Sequence, residues 1–116
     1  MNGRYSTLDE FWPFYVSQHL NPVNRDLHFA GTTLGLLALA AALAAGRPAW
    51  LAAALVAGYG PAWIGHFFFE KNRPATFEHP LLSFRADLRM YALMWRGGMG
   101  AEIARLKTEL ARLRGA

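Results

Sequence analysis

The sequence predicts an all-α integral membrane protein: a helical hairpin of two transmembrane helices, with flanking interfacial helices and a short C-terminal amphipathic helix. Three observations carry that expectation. Two runs without Asp, Glu, Lys or Arg, 27–45 and 49–69, are separated only by Gly46-Arg47-Pro48. The chain of 116 residues is 53% hydrophobic and only 17% charged, too apolar for an ordinary small soluble domain. Its net charge of +4 by itself would suit nucleic acid or an anionic membrane surface, and the apolar excess favours the membrane. The chain has no cysteine, so disulfides, thiolate nucleophiles and Cys-type zinc sites are excluded, and any metal must be held by His, carboxylate or carbonyl groups.

The N-terminus lacks a uniform apolar stretch and a small-residue cleavage site, so no secretory signal is expected. Residues 7–19 predict an aromatic interfacial helix. Thr7 and Glu10 would form its capping box, and Phe11, Trp12, Phe14 and Tyr15 suit the headgroup level. After the turn Leu20-Asn21-Pro22-Val23-Asn24, Asn24 is the expected cap of the first span. At about 1.5 Å per residue each run can cross a hydrocarbon core of roughly 30 Å. The competing reading is a pair of buried, alanine-rich helices in a soluble bundle. The turn carries only Arg47, whereas Arg4, Arg25, Lys71, Arg73, Arg85, Arg89 and Arg96 lie at the open end, which places both termini in the cytoplasm.

His28, Gly31, Thr32 and Gly35 share one face of the first span, and Gly58, Ala62, Gly65 and His66 one side of the second. Small residues so spaced let backbones approach closely. Pro61, with Gly58 and Gly60 beside it, is expected to kink the second span. Further on, Leu81, Phe84, Leu88, Tyr91 and Trp95 form an apolar stripe, with Arg85 and Arg89 on another face. That pattern predicts a helix lying on the membrane or closing over the hairpin mouth. Met99, Ile103, Leu106, Leu110 and Leu113 form a seam of two heptads, able to make a homodimer through 99–114 or to present cations to anionic lipid. The expected division is a membrane-embedded catalytic domain, 1–98, and an amphipathic helix, 99–116.

The histidines fall in a pattern. His28 lies just inside the first span, His66 near the end of the second, and His19 and His79 in the flanking segments of the same side. In an antiparallel hairpin all four converge on the open mouth. Ionisable groups at membrane depth are costly and point to function, and neutral imidazoles are ligands for iron or zinc. The spacing alone does not separate those two metals. Glu70, one turn after His66, is a candidate catalytic group or a support that holds an imidazole in its tautomer.

The strings EFWPFYVSQHLNPVNRDLHFAGT (10–32) and GYGPAWIGHFFFEKNRPATFEHPLLSFRADLRMY (58–91) resemble the membrane 2-hydroxy-fatty-acid dioxygenases of fatty-acid α-oxidation. The resemblance covers roughly residues 10–91. It implies an Fe(2+)-dependent enzyme that uses O2 to shorten a 2-hydroxy fatty acid by one carbon, with His19, His28, His66 and His79 as the iron histidines. A 2-hydroxy acid can chelate iron through its hydroxyl and a carboxylate oxygen. Arg73, Lys71 and Arg25 are the cations nearest the histidines in sequence and the candidates to meet the substrate carboxylate, with positive-inside anchoring as the plainer reading of each. Gly58 and Ala62 would line a groove for the acyl chain between the spans. Pro61 stands where a bulkier residue is expected. The short chain and its Ala, Arg and Gly usage fit a compact bacterial member in the inner membrane, acting on a free hydroxy acid. The competing functions are a haem-binding membrane electron carrier with His28 and His66 as axial ligands, a non-catalytic membrane adaptor recruiting a partner through 99–116, and a zinc hydrolase of lipid amides.

Overall fold

The structure is a computed structural model that describes residues 5–115, with side chains through Leu113. Arg4, one of the cations used above for orientation, lies outside the described residues. All regular structure among these residues is helical: α1 (Leu8–Ser17), α2 (Pro22–Ala45), α3 (Trp50–Ile64) running on into a π turn (Gly65–Glu70), a 3-10 turn (Ala75–Phe77), α4 (Pro80–Trp95), α5 (Met99–Arg105) and α6 (Lys107–Gly115). The chain sorts into two compact units, Asn21–Lys71 and the segments flanking it, up to Leu20 and from Asn72 on.

The middle unit is the expected hairpin. Its first helix starts earlier than expected, because Pro22 supplies a preset φ at the first helical position and Asn21 caps it, accepting from the amides of Val23 and Asn24. Asn24 is therefore inside the helix and completely buried, not at its cap. Gly46 ends α2 in the left-handed conformation (φ +63°) that glycine adopts without a Cβ penalty, and the chain turns within a few residues into α3. The two helices touch backbone to backbone. A Cβ added to Gly31 would lie 2.5 Å from the carbonyl oxygen of Gly58, and one on Gly35 would lie 3.1 Å from Gly58 Cα. Pro61 stays within α3, and the change of pitch comes after it, at Gly65. Pro22–Ala45 and Trp50–Glu70 are each long and apolar enough to cross a membrane, yet only 17% of each apolar window is buried. Leu37, Leu43, Leu55 and Val56 are all more than 60% exposed. A core helix of a soluble bundle buries such residues; these do not.

The flanking unit has its own core. Phe11, Trp12, Tyr15 and Val16 of α1 pack with Ala86 and Met90 of α4 and with Met99, Leu106 and Leu110 of the C-terminal helices. Two expectations are corrected here. The aromatic face of α1 is not an interfacial belt: Phe11, Trp12 and Tyr15 are at most 2% exposed. The heptad seam, too, is in part buried within its own chain. Leu106 and Leu110 lie against α1, the helix breaks at Leu106 (φ −92°, ψ 10°), and 99–115 shares a core with α1 instead of standing apart. The Thr7–Glu10 capping box is present in both directions. Trp12 Nε1 donates to Glu102 (2.6 Å), which Arg105 grips with two further bonds, and Arg89 lies over the Trp12 ring while reaching Asp9. These ties fasten the C-terminal helices and α4 to α1.

Helix α4 is two-faced. Ser83, Ala86 and Met90 are buried, while Leu81, Phe84, Leu88 and Trp95 on the opposite side are 68, 49, 39 and 66% exposed. The largest apolar side chains thus point outward, with Arg85 and Arg96 exposed beside them.

Candidate metal centre

In the hairpin, His28 is brought to face His66. Their ring centroids are 4.8 Å apart and their planes near perpendicular (85°), and the residues are 6% and 2% exposed. The close glycine contact one turn along from His28 makes this possible, since a larger residue at Gly31 would hold the helices apart. His66 sits in the π turn, which closes with Lys71 donating its amide to the His66 carbonyl and adopting a left-handed conformation itself (φ +65°). Single π turns inside helices recur at functional sites because the extra residue re-aims the side chains that follow.

Two histidines have their tautomer set by the helix that carries them. His28 Nδ1 lies 2.9 Å from the carbonyl of Asn24, and His19 Nδ1 lies 2.6 Å from the carbonyl of Tyr15, each one turn back. A carbonyl only accepts, so both Nδ1 atoms carry the proton and the ligand lone pair is on Nε2. This is the orientation that outer hydrogen bonds impose on metal-binding imidazoles. The His19 ring is also stacked on Tyr15, centroids 4.0 Å apart, and the Tyr15 hydroxyl donates to Asp87. Burial of the Asp87 carboxyl raises its pKa to about 7, offset in part by that hydrogen bond, and burial together with the Asp87 charge raises Tyr15 well above its ordinary value.

His19, His28 and His66 each offer one ring nitrogen, and these atoms lie within 4.8 Å of one another; the buried triad could hold a metal ion. The donor set fits a divalent first-row cation. Metal–nitrogen bonds of about 2.1 Å put ligand nitrogens about 3–4 Å apart, within modest adjustment of what is seen, and neutral imidazole suits iron and zinc alike. The fourth histidine is not part of this group. His79 is buried against Tyr5 and Phe11, and both its ring nitrogens and the Ser83 hydroxyl one turn on have no hydrogen-bond partner among the described residues. His28 and His66, the axial pair of the haem alternative, are in edge contact, with ring centroids 4.8 Å apart.

The other candidate residues are placed as follows. Glu70 is at the mouth of the hairpin but reaches the first helix: it accepts from the Asn21 amide (2.9 Å) and from Asn24 Nδ2 (3.1 Å). A carboxylate there also meets the positive end of α2. Arg73 is exposed, its guanidinium over the Phe77 ring. Lys71 is exposed and fixed by its backbone role in closing the π turn. Arg25 is half-buried in the first turn of α2. Ala62 is 7% exposed. Gly58 lies in the helix seam, where its carbonyl oxygen faces Gly31 and its Cα faces Gly35. Sequence reasoning missed Asn24 as a support of the site, although an Asn four residues before a histidine on an apolar helix face was a usable signal. It also missed Tyr15 as the ring beneath His19.

No curated protein and no solved structure matches the chain. The family model described as 2-hydroxy-palmitic acid dioxygenase Mpo1-like matches residues 5–99, a stretch that takes in all four histidines and every helix from α1 to α4. The family description is that of a dioxygenase, and with most of its length matched the chain belongs to the Mpo1-like family.

Proposed function

We propose that the protein is a membrane-embedded, Fe(2+)-dependent dioxygenase that shortens a 2-hydroxy fatty acid by one carbon. The observation that carries this reading is the buried triad of imidazoles with Nε2 presented by His19 and His28. The family description supplies the substrate class, a 2-hydroxy long-chain acid. The overall balance is RCH(OH)COOH + O2 → RCOOH + CO2 + H2O, in which O2 takes up the four electrons released by breaking the C1–C2 bond and oxidising C2.

His19, His28 and His66 would hold the iron, whose contribution when bound is to activate O2 next to the chelated hydroxy acid. The protein's part is to present and protect. The Tyr15 and Asn24 carbonyls keep two rings in the productive tautomer, and burial of the triad keeps bulk water away. His79 and Ser83, with unpaired polar atoms, are available as a fourth ligand or to receive a polar group of substrate. Arg73, exposed near the open end of the hairpin, would draw the substrate carboxylate toward it. The two exposed apolar helices would span the bilayer, most simply an inner membrane with both termini cytoplasmic, and the outward stripe of α4 would rest in its interface.

The test is anaerobic purification with added Fe(2+), followed by 2-hydroxypalmitic acid and O2. The reading requires the fifteen-carbon acid to form only with iron and O2 together. An iron-loaded protein that leaves the hydroxy acid intact, or equal turnover with Zn(2+), overturns it. The membrane assignment is read separately: brominated lipid should quench the fluorescence lost in Trp95→Phe, and no quenching of that component refutes the interfacial placement of α4.

A further inference from the structure

Asn24 is fully buried, and three contacts meet on it. Its backbone carbonyl accepts from His28 Nδ1 (2.9 Å). Its side-chain amide donates to Glu70 Oε1 (3.1 Å), which also holds the Asn21 amide. Its Oδ1 faces Gly65 so closely that a Cβ there would collide with it. Gly65 immediately precedes His66, and Glu70 ends the π turn that carries it. One side chain on α2 is therefore in contact with both ends of the turn on which His66 is mounted, while its own backbone orients His28.

We propose that Asn24 is the positioning residue of the His28–His66 pair, with Glu70 as its anchor. The clasp is specific in shape and polarity. The amide donates to a carboxylate across the helix seam, which fixes the rotation of the π turn, and Gly65 is small so that Asn24 can sit flush against it. Glu70 thereby acts on His28 through Asn24 and needs no contact with either ring. The inference rests on the metal reading of the histidines and adds to it a residue that never touches the ion.

The experiment is Co(2+) titration of the full-length protein in detergent micelles, read by the visible absorption of the bound ion and checked by far-UV circular dichroism. Asn24→Leu keeps the volume and removes the donor; loss of an outer support of this kind lowers metal affinity about 10–100-fold. The double variant Asn24→Asp with Glu70→Gln reverses the clasp, since the introduced glutamine amide can donate to the introduced aspartate while its carbonyl still accepts from Asn21. It should hold affinity within about threefold of wild type with the same absorption band. Gly65→Ala, which leaves every polar group in place, should shift the band and weaken binding as Asn24→Leu does. A residue that merely filled space would let Asn24→Leu bind normally, and a clasp that does not depend on this donor and acceptor would leave the reversed pair failing. Either of those results overturns the proposal. Should wild type take up Co(2+) and His28→Ala lose it while Asn24→Leu matches wild type, only the positioning claim falls. Should wild type take up none, the metal reading falls with it.

Discussion

The hairpin seam yields a prediction with an unusual asymmetry. Gly31 and Gly58 face each other, yet a methyl group on each meets different surroundings. On Gly31 it would stand 2.5 Å from the Gly58 carbonyl oxygen, roughly 1 Å inside van der Waals contact. On Gly58 its nearest neighbours would be the Gly31 oxygen at 3.8 Å and Gly35 Cα at 3.9 Å, an ordinary distance. The obstacle at Gly31 is backbone on both sides, so only separation of the helices relieves it. Overpacking of this kind costs about 1–3 kcal/mol, and it acts one turn from His28, where the ring facing His66 is 4.8 Å away. Gly31→Ala should therefore lower stability by about 1–3 kcal/mol and weaken metal binding about tenfold. Gly58→Ala should change stability by less than about 0.5 kcal/mol, with the usual gain of helix propensity offsetting small adjustments. The assays are unfolding in a denaturing detergent and Co(2+) titration of each variant. Equal effects at the two positions, or a worse result at Gly58, would refute the close-contact account of why the histidines meet.

Three further outcomes follow from the same reasoning. The Asp87 carboxyl is raised from 3.8 to about 7, so the folded chain binds a proton more tightly than the unfolded one. That stabilisation is complete below about pH 4 and is lost as pH rises toward about 7, worth roughly 2–4 kcal/mol. Melting temperatures of wild type should fall between about pH 4 and 7, while those of Asp87→Asn should be flat there; parallel profiles would sink the assignment. Leu110→Ala, which opens a hole beneath α1, should cost about 2–4 kcal/mol by thermal unfolding and leave the sedimentation coefficient unchanged, whereas dissociation of a dimer would return the seam to its heptad role. Lys71→Gly relieves a left-handed residue and should stabilise by about 1 kcal/mol in detergent unfolding while leaving KM for the hydroxy acid nearly as in wild type; a rise in KM of about tenfold or more would make the Lys71 charge a substrate contact.

Much of the hairpin was legible because its signals are local. Charge-free runs, a Gly-Arg-Pro turn and glycines on matching faces follow from helix geometry alone, as does the capping box of Thr7 and Glu10. The histidines at one end were readable for the same reason. What stayed hidden depends on partners distant in the chain. An aromatic face such as that of α1 is equally suited to a headgroup belt and to a core, and only the return of Leu106 and Leu110 decides for the core. Heptad spacing likewise records that a stripe is buried, not against what. Glu70 sits four residues after His66, which points along its own helix, but the π turn changes the register and its partners are Asn21 and Asn24. The cap expected at Asn24 falls instead at Asn21, because Pro22 is the first residue of the helix and not part of a turn.

The central claim is that His19, His28 and His66 hold one iron. Iron content per chain, measured after anaerobic loading and desalting of wild type and of the His19→Ala, His28→Ala and His66→Ala variants, tests it most directly. The account predicts one iron in the wild type and little in each of the three, and retention of a full equivalent by any one of those variants would contradict it.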